Sequence, residues 1–407
     1  MINANHSFSH PKFSDISFEK CIKATSKADL IIFPELSVTN YEPALAKVLA
    51  TDPENSIFDR FQQLSDSNQI TIGIGMSTTA SDGVLISMIL FQPNKKRSTY
   101  SKLLLHSDEL PYFVCGKNQL TLTIKGTRIG IGICYETLQR EHILNTYKQG
   151  IDIYIASVAK SKGGVEKAYN FFPKIAKEFN TPILMANCVG YCDNFMSIGQ
   201  SAVWSENGEL IDQLDSTHQG ILTYDTDTKL VTNDQPSIEV GQLPDLEEVF
   251  QIYLNAKLEL ERNGIYQWVK SYPTKTIIEN DLKNKVLFVL KSSTNIIGAI
   301  NISTDQESEY QKVEWKFDDT QVLVIHRLVI NPDHQRNGYA QRLMDFAENY
   351  AAANKYTSIR LDAYSQNARV LEFYQKRNYD IRGEVSFPKR AFPFYCMEKE
   401  IDPSTTL

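Results

Sequence analysis

Short apolar runs alternate with amphipathic segments along the first half of the chain. Residues 30–33 and 129–133 are uninterrupted runs of Ile, Leu, Phe and Gly with the length of a buried strand. Residues 56–64 and 168–178 place apolar side chains three and four positions apart, which is the spacing of one helix face. Strands that alternate with helices in this way predict an α/β fold.

The alternation starts again after a polar, turn-rich stretch at residues 223–236. Beyond this stretch, residues 321–330 and 359–363 predict strands, and residues 341–353 predict a helix. We therefore expect two domains, at residues 1–230 and 236–401.

The composition excludes several classes of protein. Of the 407 residues, 42% are hydrophobic and 22% are charged, which is typical of a soluble globular protein. No apolar run has the length of a membrane span, and no signal-peptide pattern is visible. Because nucleic-acid binding needs a basic face, the formal net charge of -7 argues against it. We expect neither a nucleic-acid partner nor a membrane partner.

The six cysteines are too few and too scattered for a disulfide framework. This usage fits a reducing compartment, so we expect a cytoplasmic protein. Cys188 and Cys192 are four positions apart, but no second cysteine or histidine pair has zinc-site spacing. We therefore expect no metal.

Three reactive side chains lie where predicted strands end. Glu35 follows the run at 30–33, Lys102 ends an extended segment, and Cys134 ends the run at 129–133 before a helical pattern. A helix start beside Cys134 would lower the pKa of the thiol. Acyl transfer through a thiol needs a base, a fixed positive charge and the nucleophile. Taken singly, each residue has a simpler explanation: an exposed carboxylate, a solvated lysine and an inert core cysteine.

Ordered blocks around these residues resemble the carbon-nitrogen hydrolase, or nitrilase, superfamily. The resemblance covers about residues 23–225 and implies a four-layer αββα sandwich and a homodimer formed through this domain. It implies that Glu35 is the general base, Lys102 the stabiliser of the intermediate and Cys134 the nucleophile, and that Glu109 positions the lysine and the substrate. One departure is Asn40, where glycine is usual. The blocks are residues 33–37, 39–42, 100–102, 106–116, 132–136, 185–190, 199–204 and 207–208.

The amino-terminal strand usual in this family is hard to recognise. Residues 1–11 form a poor strand pattern, so we expect this edge strand to be either missing or built from residues 2–8.

The second half contains a strand, a turn with small residues and a helix. Gly338 and Ala340 follow the strand at 321–330 and open the helix at 341–353. Small residues at a helix start let backbone N–H groups converge on a pyrophosphate. A plain helix start is the alternative.

This turn, together with residues 359–363 and 365–379, resembles the GNAT (GCN5-related) N-acetyltransferases over about residues 238–401. The resemblance implies a mixed-sheet α/β domain and acetyl-CoA as co-substrate. It also implies that Tyr374 protonates the leaving thiolate. The cofactor-binding residues that it implies are Leu328, Ile330, Gln335, Arg336, Asn337, Gly338, Ala340 and Asn367.

The position of the general base in this second domain departs from the usual family pattern. Many family members carry a glutamate on the central strand, where this sequence has Val324. His326 lies two residues further along and points to the same side of a strand. We hypothesise that His326 is the base, since its ordinary pKa is about 6.5.

The sequence thus predicts a bifunctional enzyme. One domain hydrolyses a C–N bond of a small-molecule amide, and the other transfers acetyl from acetyl-CoA to an amine. Two alternatives stay open. One is an acetyl-CoA-binding acetyltransferase or sensor with an inactive hydrolase domain, and the other is an acyltransferase in which an amine intercepts the thioacyl-enzyme.

Overall fold

The chain forms two compact units, Met1–Gln235 and Pro236–Leu407. The structure is a computed structural model that describes residues 2–3, 22, 27–292 and 295–402, except the side chain of residue 319. Each unit has its own sheets and its own hydrophobic core.

The first unit contains fifteen strands among the described residues. They are β1 Ile2–Asn3, β2 Leu30–Ile32, β3 Thr71–Ala80, β4 Gly83–Phe91, β5 Ser98–Ser101, β6 Thr121–Ile124, β7 Thr127–Ile133, β8 Ile153–Val158, β9 Ile183–Asn187, β10 Val189–Cys192, β11 Phe195–Ile198, β12 Ala202–Trp204, β13 Leu210–Gln213, β14 Gly220–Tyr224 and β15 Val231–Asn233. Its helices are α1 Ala46–Leu49, α2 Asp59–Asn68, α3 Arg140–Tyr147 and α4 Lys162–Phe179.

Two sheets pack face to face in this unit. One has the order β2-β3-β4-β5, and the other has the order β13-β12-β9-β8-β7-β6. Met88 and Leu90 of the first sheet share a buried cluster with Ile131 and Ile155 of the second, so the main core lies between the sheets. Strands buried on both faces explain the continuous apolar runs in the sequence.

Helices cover the outer faces of both sheets. Phe61 of α2 packs against Ile72 and Phe91 on the first sheet. On the second sheet, Phe172 of α4 packs against Trp204. The layers are therefore helix, sheet, sheet and helix, and the predicted αββα sandwich is confirmed.

Short antiparallel strand pairs lie at both ends of this unit. Ile2 and Asn3 pair antiparallel with Ile221 and Gly220, and the rest of the proposed edge strand lies outside the described residues. The stretch at 223–236, which lacks periodicity, contains β15, and β15 pairs with β14. The sequence did not predict this hairpin, because its strands are only partly buried and therefore contain polar residues without an apolar run.

The second unit is built on one seven-stranded mixed sheet of order β16-β17-β18-β19-β20-β22-β21. The strands are β16 Ser237–Val240, β17 Leu287–Lys291, β18 Ile296–Ser303, β19 Val322–Ile330, β20 Ser358–Tyr364, β21 Asp380–Val385 and β22 Phe394–Glu400. The helices are α5 Leu246–Arg262, α6 Lys275–Lys283, α7 Tyr339–Ala353 and α8 Ala368–Lys376.

A bulge in the middle of this sheet opens a gap between two parallel strands. The ladder of β18 and β19 shifts register between Ala299 and Asn301, and Arg327 has a positive φ of 51°. The parallel pairing of β19 with β20 ends at Ile325 and Leu361, although both strands continue. A bulge bends its strand and frees local backbone groups from the ladder.

No helix in the described part of the chain is long and apolar enough to cross a membrane.

A buried ion pair joins β20 to β22 in the second unit. Arg360 Nε donates to Glu398 Oε1 at 3.0 Å, and neither side chain is exposed to solvent. Glu398 also accepts from the backbone N–H of Lys316 at 2.7 Å. Removing one partner of a buried pair leaves the other charge uncompensated.

We predict that Glu398→Ala lowers the free energy of unfolding of the second unit by about 3 kcal/mol or more. Faster hydrogen exchange in peptides from β20 and β22 would report the loss. The control is Glu400→Ala, which removes an exposed pair with Lys316 and should cost less than about 1 kcal/mol. Equal effects of the two variants would contradict this reading.

Candidate functional site

Glu35 is held at the carboxyl end of β2 by a close approach of two backbones. A Cβ atom on Gly75 would lie 2.2 Å from the backbone nitrogen of Leu36 and 2.6 Å from the carbonyl oxygen of Pro34. Only glycine therefore lets β3 approach the turn that carries Glu35. The Glu35 side chain is fully buried, and Oε2 has no hydrogen-bond partner among the described residues. A buried acceptor without a donor is costly and is suited to take up a proton.

Lys102 follows β5 and points into the same buried region. Its Nζ donates to Glu35 Oε1 at 2.9 Å and to Glu109 Oε1 at 2.6 Å. Burial alone would lower the pKa of Lys102, but Glu35, Cys134 and Glu109 raise it above its ordinary value. The lysine therefore stays protonated and supplies a permanent positive charge.

Glu109 is tied to Lys102 by a short loop. Its Oε1 also accepts from the Tyr41 hydroxyl at 3.1 Å, and its Oε2 accepts from the backbone N–H of His106 at 2.7 Å. These donors fix the carboxylate that in turn fixes the lysine. The structure thus places Glu109 beside Lys102, and its role in positioning the lysine and the substrate stays a prediction.

Cys134 lies immediately after β7, in a backbone conformation that non-glycine residues rarely adopt. Its φ is 47°, and its Sγ lies 3.4 Å from the carbonyl oxygen of Ala159. Strain of this kind is common at functional positions, where it costs about 1–3 kcal/mol. The conformation turns the thiol away from the strand and toward a cavity that Cys134 lines.

The expected lowering of the Cys134 pKa is wrong. Burial raises the pKa of the thiol to about 12, and Glu35 adds to this, while Lys160 and Lys102 act in the opposite direction. The helical turn that follows, Cys134–Leu138, is a short 3-10 segment, and α3 begins only at Arg140. Desolvation therefore outweighs the effect of the turn.

Burial also raises the pKa of Glu35 above its ordinary value, although Lys102 opposes the shift. A raised pKa makes this carboxylate a stronger base. Glu35 is therefore better suited than an ordinary glutamate to accept the proton of a thiol.

Glu136 connects the strands that carry Lys102 and Cys134. Its Oε1 accepts from the Tyr100 hydroxyl at 2.6 Å and from the backbone N–H of Ile133 at 2.8 Å. Its Oε2 accepts from the backbone N–H groups of Leu103 at 2.6 Å and Leu104 at 3.1 Å. A single buried carboxylate thus fixes the ends of β5 and β7 relative to each other.

The cavity beside Cys134 has a volume of ≈ 670 Å³. Its wall includes Tyr41, Glu109, Cys134 and Phe195, so the predicted nucleophile and the second glutamate face the same space. The structure brings Glu35, Lys102, Glu109 and Cys134 together from three segments distant in sequence, one of which carries both Lys102 and Glu109.

Lys160 is a residue that sequence reasoning missed. It is 5% exposed, and its Nζ lies 4.0 Å from Cys134 Sγ and 3.4 Å from the Cys134 carbonyl oxygen. The available signal was its position two residues after β8, which pairs in parallel with β7. Parallel strands end at the same edge of a sheet, so a lysine there is expected to lie near Cys134.

In the second unit, the turn before α7 has the backbone shape expected for an anion site. Arg336 and Gly338 have positive φ values of 65° and 77°, and Gly338 is the N-cap of α7. Nothing lies within 4 Å of the position of a Cβ on Gly338, so the space in front of it is open. The first turn of α7 directs backbone N–H groups toward this space. The cofactor-binding residues predicted in this turn, Gln335, Arg336, Asn337, Gly338 and Ala340, are exposed or half-buried.

Leu328 and Ile330 lie on the part of β19 beyond its last pairing with β20. Their backbone groups on that side are therefore not used by the β19–β20 ladder. The gap between the strands and the open turn at Gly338 fit the pantetheine arm and the pyrophosphate of acetyl-CoA.

Asn367 and Tyr374 are both buried in the second unit. The Asn367 side chain accepts from the backbone N–H of Val370 at 3.3 Å and donates to Gln267 Oε1 at 2.9 Å. It therefore caps α8 and contacts the segment at Gln267. Burial raises the pKa of Tyr374 well above its ordinary value, so its hydroxyl keeps its proton at neutral pH.

His326 is buried, and its Nε2 lies 2.9 Å from the backbone oxygen of Asp305. Because a carbonyl oxygen only accepts hydrogen bonds, His326 Nε2 must carry the hydrogen and donate the bond. Burial lowers the pKa of His326 to about 4, with a further lowering from Arg327. The imidazole is therefore neutral at pH 7.

Asp362 is a second titratable group at the same place in the sheet, and sequence reasoning did not identify it. It follows Leu361, just as His326 follows Ile325, so both residues stand where the two strands separate. Tyr310 donates to Asp362 Oδ2 at 2.7 Å, and burial raises the pKa of Asp362 to about 6. The raised pKa of a carboxylate beside the gap between two strands is a signal that only the packed structure reveals.

No group of three or more His, Cys, Asp or Glu side chains within the described residues is arranged to hold a metal ion.

Sequence comparison matches both halves of the chain to known families. The model of the carbon-nitrogen hydrolase family matches residues 17–235, and that of the GNAT acetyltransferase family matches residues 247–379. The order of the two domains is the one predicted.

Individual relatives are distant. A glutamine-dependent NAD(+) synthetase of Acinetobacter baylyi is 26% identical over 239 residues, which cover 56% of this chain and 42% of that protein. A probable nitrilase of Schizosaccharomyces pombe is 23% identical over 218 residues, which cover 51% of this chain and 78% of that protein. The chain thus spans less than half the length of the NAD(+) synthetases that it matches.

Solved structures share the fold of the first unit. A mutant of the amidase from Nesterenkonia sp. AN1, solved in complex with butyramide, aligns with a TM-score of 0.50 at 16% identity. The alignment covers 57% of this chain and 88% of the amidase. With the family match over more than half of its residues, the chain belongs to the carbon-nitrogen hydrolase family and carries a GNAT acetyltransferase domain after the hydrolase domain.

Proposed function

We propose that the first domain hydrolyses the C–N bond of a small-molecule amide, with Cys134 as nucleophile. The observation that supports this most strongly is the buried array of Glu35, Lys102 and Glu109 beside a cavity that Cys134 lines. A base, a fixed cation and a thiol at one site are the three parts that acyl transfer through a thiol needs.

In this mechanism, Glu35 takes the Cys134 proton as Sγ attacks the amide carbonyl carbon. The proton moves with the attack, because a free thiolate with a pKa of about 12 is rare at pH 7. Lys102 and a backbone N–H stabilise the oxyanion. Glu35 then returns its proton to the leaving nitrogen, and ammonia or an amine departs. Water, deprotonated by Glu35, next attacks the thioester, and release of the acid restores the thiol.

We also propose that the second domain transfers acetyl from acetyl-CoA to an amine. When bound, acetyl-CoA supplies an activated thioester. The turn at 335–340 would hold the pyrophosphate, and the edge of β19 at Leu328 and Ile330, which is not paired with β20, would hold the pantetheine arm. Tyr374, which keeps its proton at neutral pH, would donate it to the leaving thiolate.

The base of the second domain is either His326 or Asp362. Each lies at the separation of β19 and β20, and each is deprotonated at neutral pH. Asp362 is the better candidate, because its pKa of about 6 is closer to the working pH and therefore makes it the stronger base. A cavity of ≈ 540 Å³ in this domain, lined in part by Trp268, Tyr364 and Phe392, is a candidate acceptor site.

It stays a prediction that the substrates are a small-molecule amide and an amine. The homodimer and the cytoplasmic location also stay predictions.

We predict that Cys134→Ala and Glu35→Gln each reduce amide hydrolysis by at least about a thousandfold, because each removes an essential role. Ammonia and amine release from a panel of small amides measures this, with Cys115→Ala, a change at an exposed thiol, as the control. A wild-type protein that hydrolyses no amide, and whose Cys134 is no more reactive than its other thiols, would favour the sensor alternative. Acyl transfer to added amines without acid release would favour the acyltransferase.

Acetyl-CoA should raise the melting temperature of the second domain, and both Arg336→Ala and Gly338→Trp should reduce this shift. The first change removes a charge and the second fills the space needed by the pyrophosphate. Gly126→Trp is the matched control, since Gly126 also has a positive φ and open space but lies in the first domain. An unchanged shift in both test variants would refute the cofactor assignment.

If Asp362 is the base, acetyl transfer to an amine should fall as the pH drops through about 6, because the base works only when deprotonated. Asp362→Asn should then reduce kcat by about a hundredfold or more and remove this acidic limb. Thiol release from acetyl-CoA with a panel of primary amines follows the reaction. If His326→Gln removes the limb and Asp362→Asn keeps it, the base is His326.

A further inference from the structure

The cavity that contains Cys134 has a cationic wall that the proposed mechanism does not use. Its innermost member is Lys160, whose backbone is fixed from two sides. Its N–H donates to Asn187 Oδ1 at 2.8 Å, and its carbonyl oxygen accepts from Asn187 Nδ2 at 3.2 Å and from Ser197 Oγ at 3.0 Å. This clamp directs the ammonium toward Cys134, 4.0 Å from Sγ.

Two further lysines continue the wall along α4. Lys167 and Lys174 line the same cavity and are seven residues apart, so they lie on one face of the helix, about 10 Å apart along its axis. Lys160 stands two residues before the start of the helix. The cavity is therefore lined by a buried lysine beside the thiol and by two exposed lysines on α4.

No acidic group of the described residues neutralises these three lysines within ion-pair distance. Of the carboxylates that line the cavity, Asp108 is 2.6 Å from His106 Nδ1, and Glu109 is 2.6 Å from Lys102 Nζ. The formal net charge of the whole protein is -7, so a positive cavity wall is a local departure from the overall charge. The cavity lining thus carries three lysines against two carboxylates, and an excess of one sign of charge in a cleft concentrates ligands of the opposite sign.

We propose that this wall selects amides whose acyl part carries a negative group, a carboxylate or a phosphate-like anion, a few bonds from the scissile carbonyl. This inference rests on the proposed amide hydrolysis and specifies its substrate class. Lys167 and Lys174 bind the anion, while Lys160 offsets the negative charge that develops beside Cys134.

Alkylation of Cys134 tests the wall without requiring turnover. Iodoacetate and iodoacetamide both form a carbon–sulfur bond with a thiolate and release iodide, but only iodoacetate is anionic. The ratio of the iodoacetate rate to the iodoacetamide rate at Cys134 is divided by the same ratio at the exposed Cys115. This double ratio cancels the intrinsic difference in reactivity between the two reagents. Peptide mass spectrometry on the full chain measures both sites in one sample.

We expect this double ratio to exceed one and to fall about three- to tenfold in Lys167→Glu combined with Lys174→Glu. The matched control is Lys177→Glu, an exposed lysine on α4 that does not line the cavity. Lys167→Arg combined with Lys174→Arg should preserve the wild-type ratio. A double ratio of one, or an equal fall in the Lys177→Glu control, would overturn the proposal.

Substrate analogues provide the second measurement. Succinamate, 3-phosphonopropionamide and neutral butyramide have similar lengths, and their binding to the Cys134→Ala protein by calorimetry needs no reactive thiol. Tighter binding of either anionic amide supports the proposal, and the stronger of the two identifies the anion. Equal or undetectable binding of all three overturns it. Failure of the hydrolase proposal is distinct, since it would appear as charge-selective binding and alkylation without hydrolysis by the wild type.

Discussion

The arrangement of the first domain depends on one buried cluster of charges. Lys102 lies between Glu35 and Glu109, and all three side chains are removed from water. Burying any of these charges alone would be prohibitive, so each is tolerated only because the others are in place. The cluster therefore requires the ends of β2 and β5 and the loop at Glu109 to meet at one point. The cavity beside Cys134 is a consequence of that convergence.

Supporting contacts make this convergence possible. Gly75 lets the turn that carries Glu35 approach β3, and Glu136 joins the ends of β5 and β7 through four donors. The same low-dielectric surroundings raise the pKa of both Glu35 and Cys134. Burial thus sets the acid–base properties of the site as well as its shape. In the second domain, burial likewise shifts the pKa of Asp362 and of His326. Both residues lie beside the gap that opens between β19 and β20 next to the bulge.

Much of the fold was accessible from sequence. Apolar runs at 30–33 and 129–133 predicted strands because a strand buried on both faces admits few polar residues. Helix spacing at 168–178 predicted part of α4, which extends over Lys162–Phe179. The hairpin of β14 and β15 escaped prediction because half-buried strands with polar residues carry no apolar run. The pKa of Cys134 was misjudged because a local effect of the following turn was weighed without the burial imposed by distant segments.

By itself, the sequence determined the order of the two domains and their α/β class, and it predicted which groups would perform thiol-based acyl transfer. These follow from residue type and local periodicity, which are properties of short segments. Only the tertiary structure decided which groups meet. Lys160 and Lys167 became part of the Cys134 cavity, and Asp362 became a half-buried carboxylate with a raised pKa, through packing between segments far apart in the chain. Desolvation and charge proximity depend on that packing, so no local pattern encodes them.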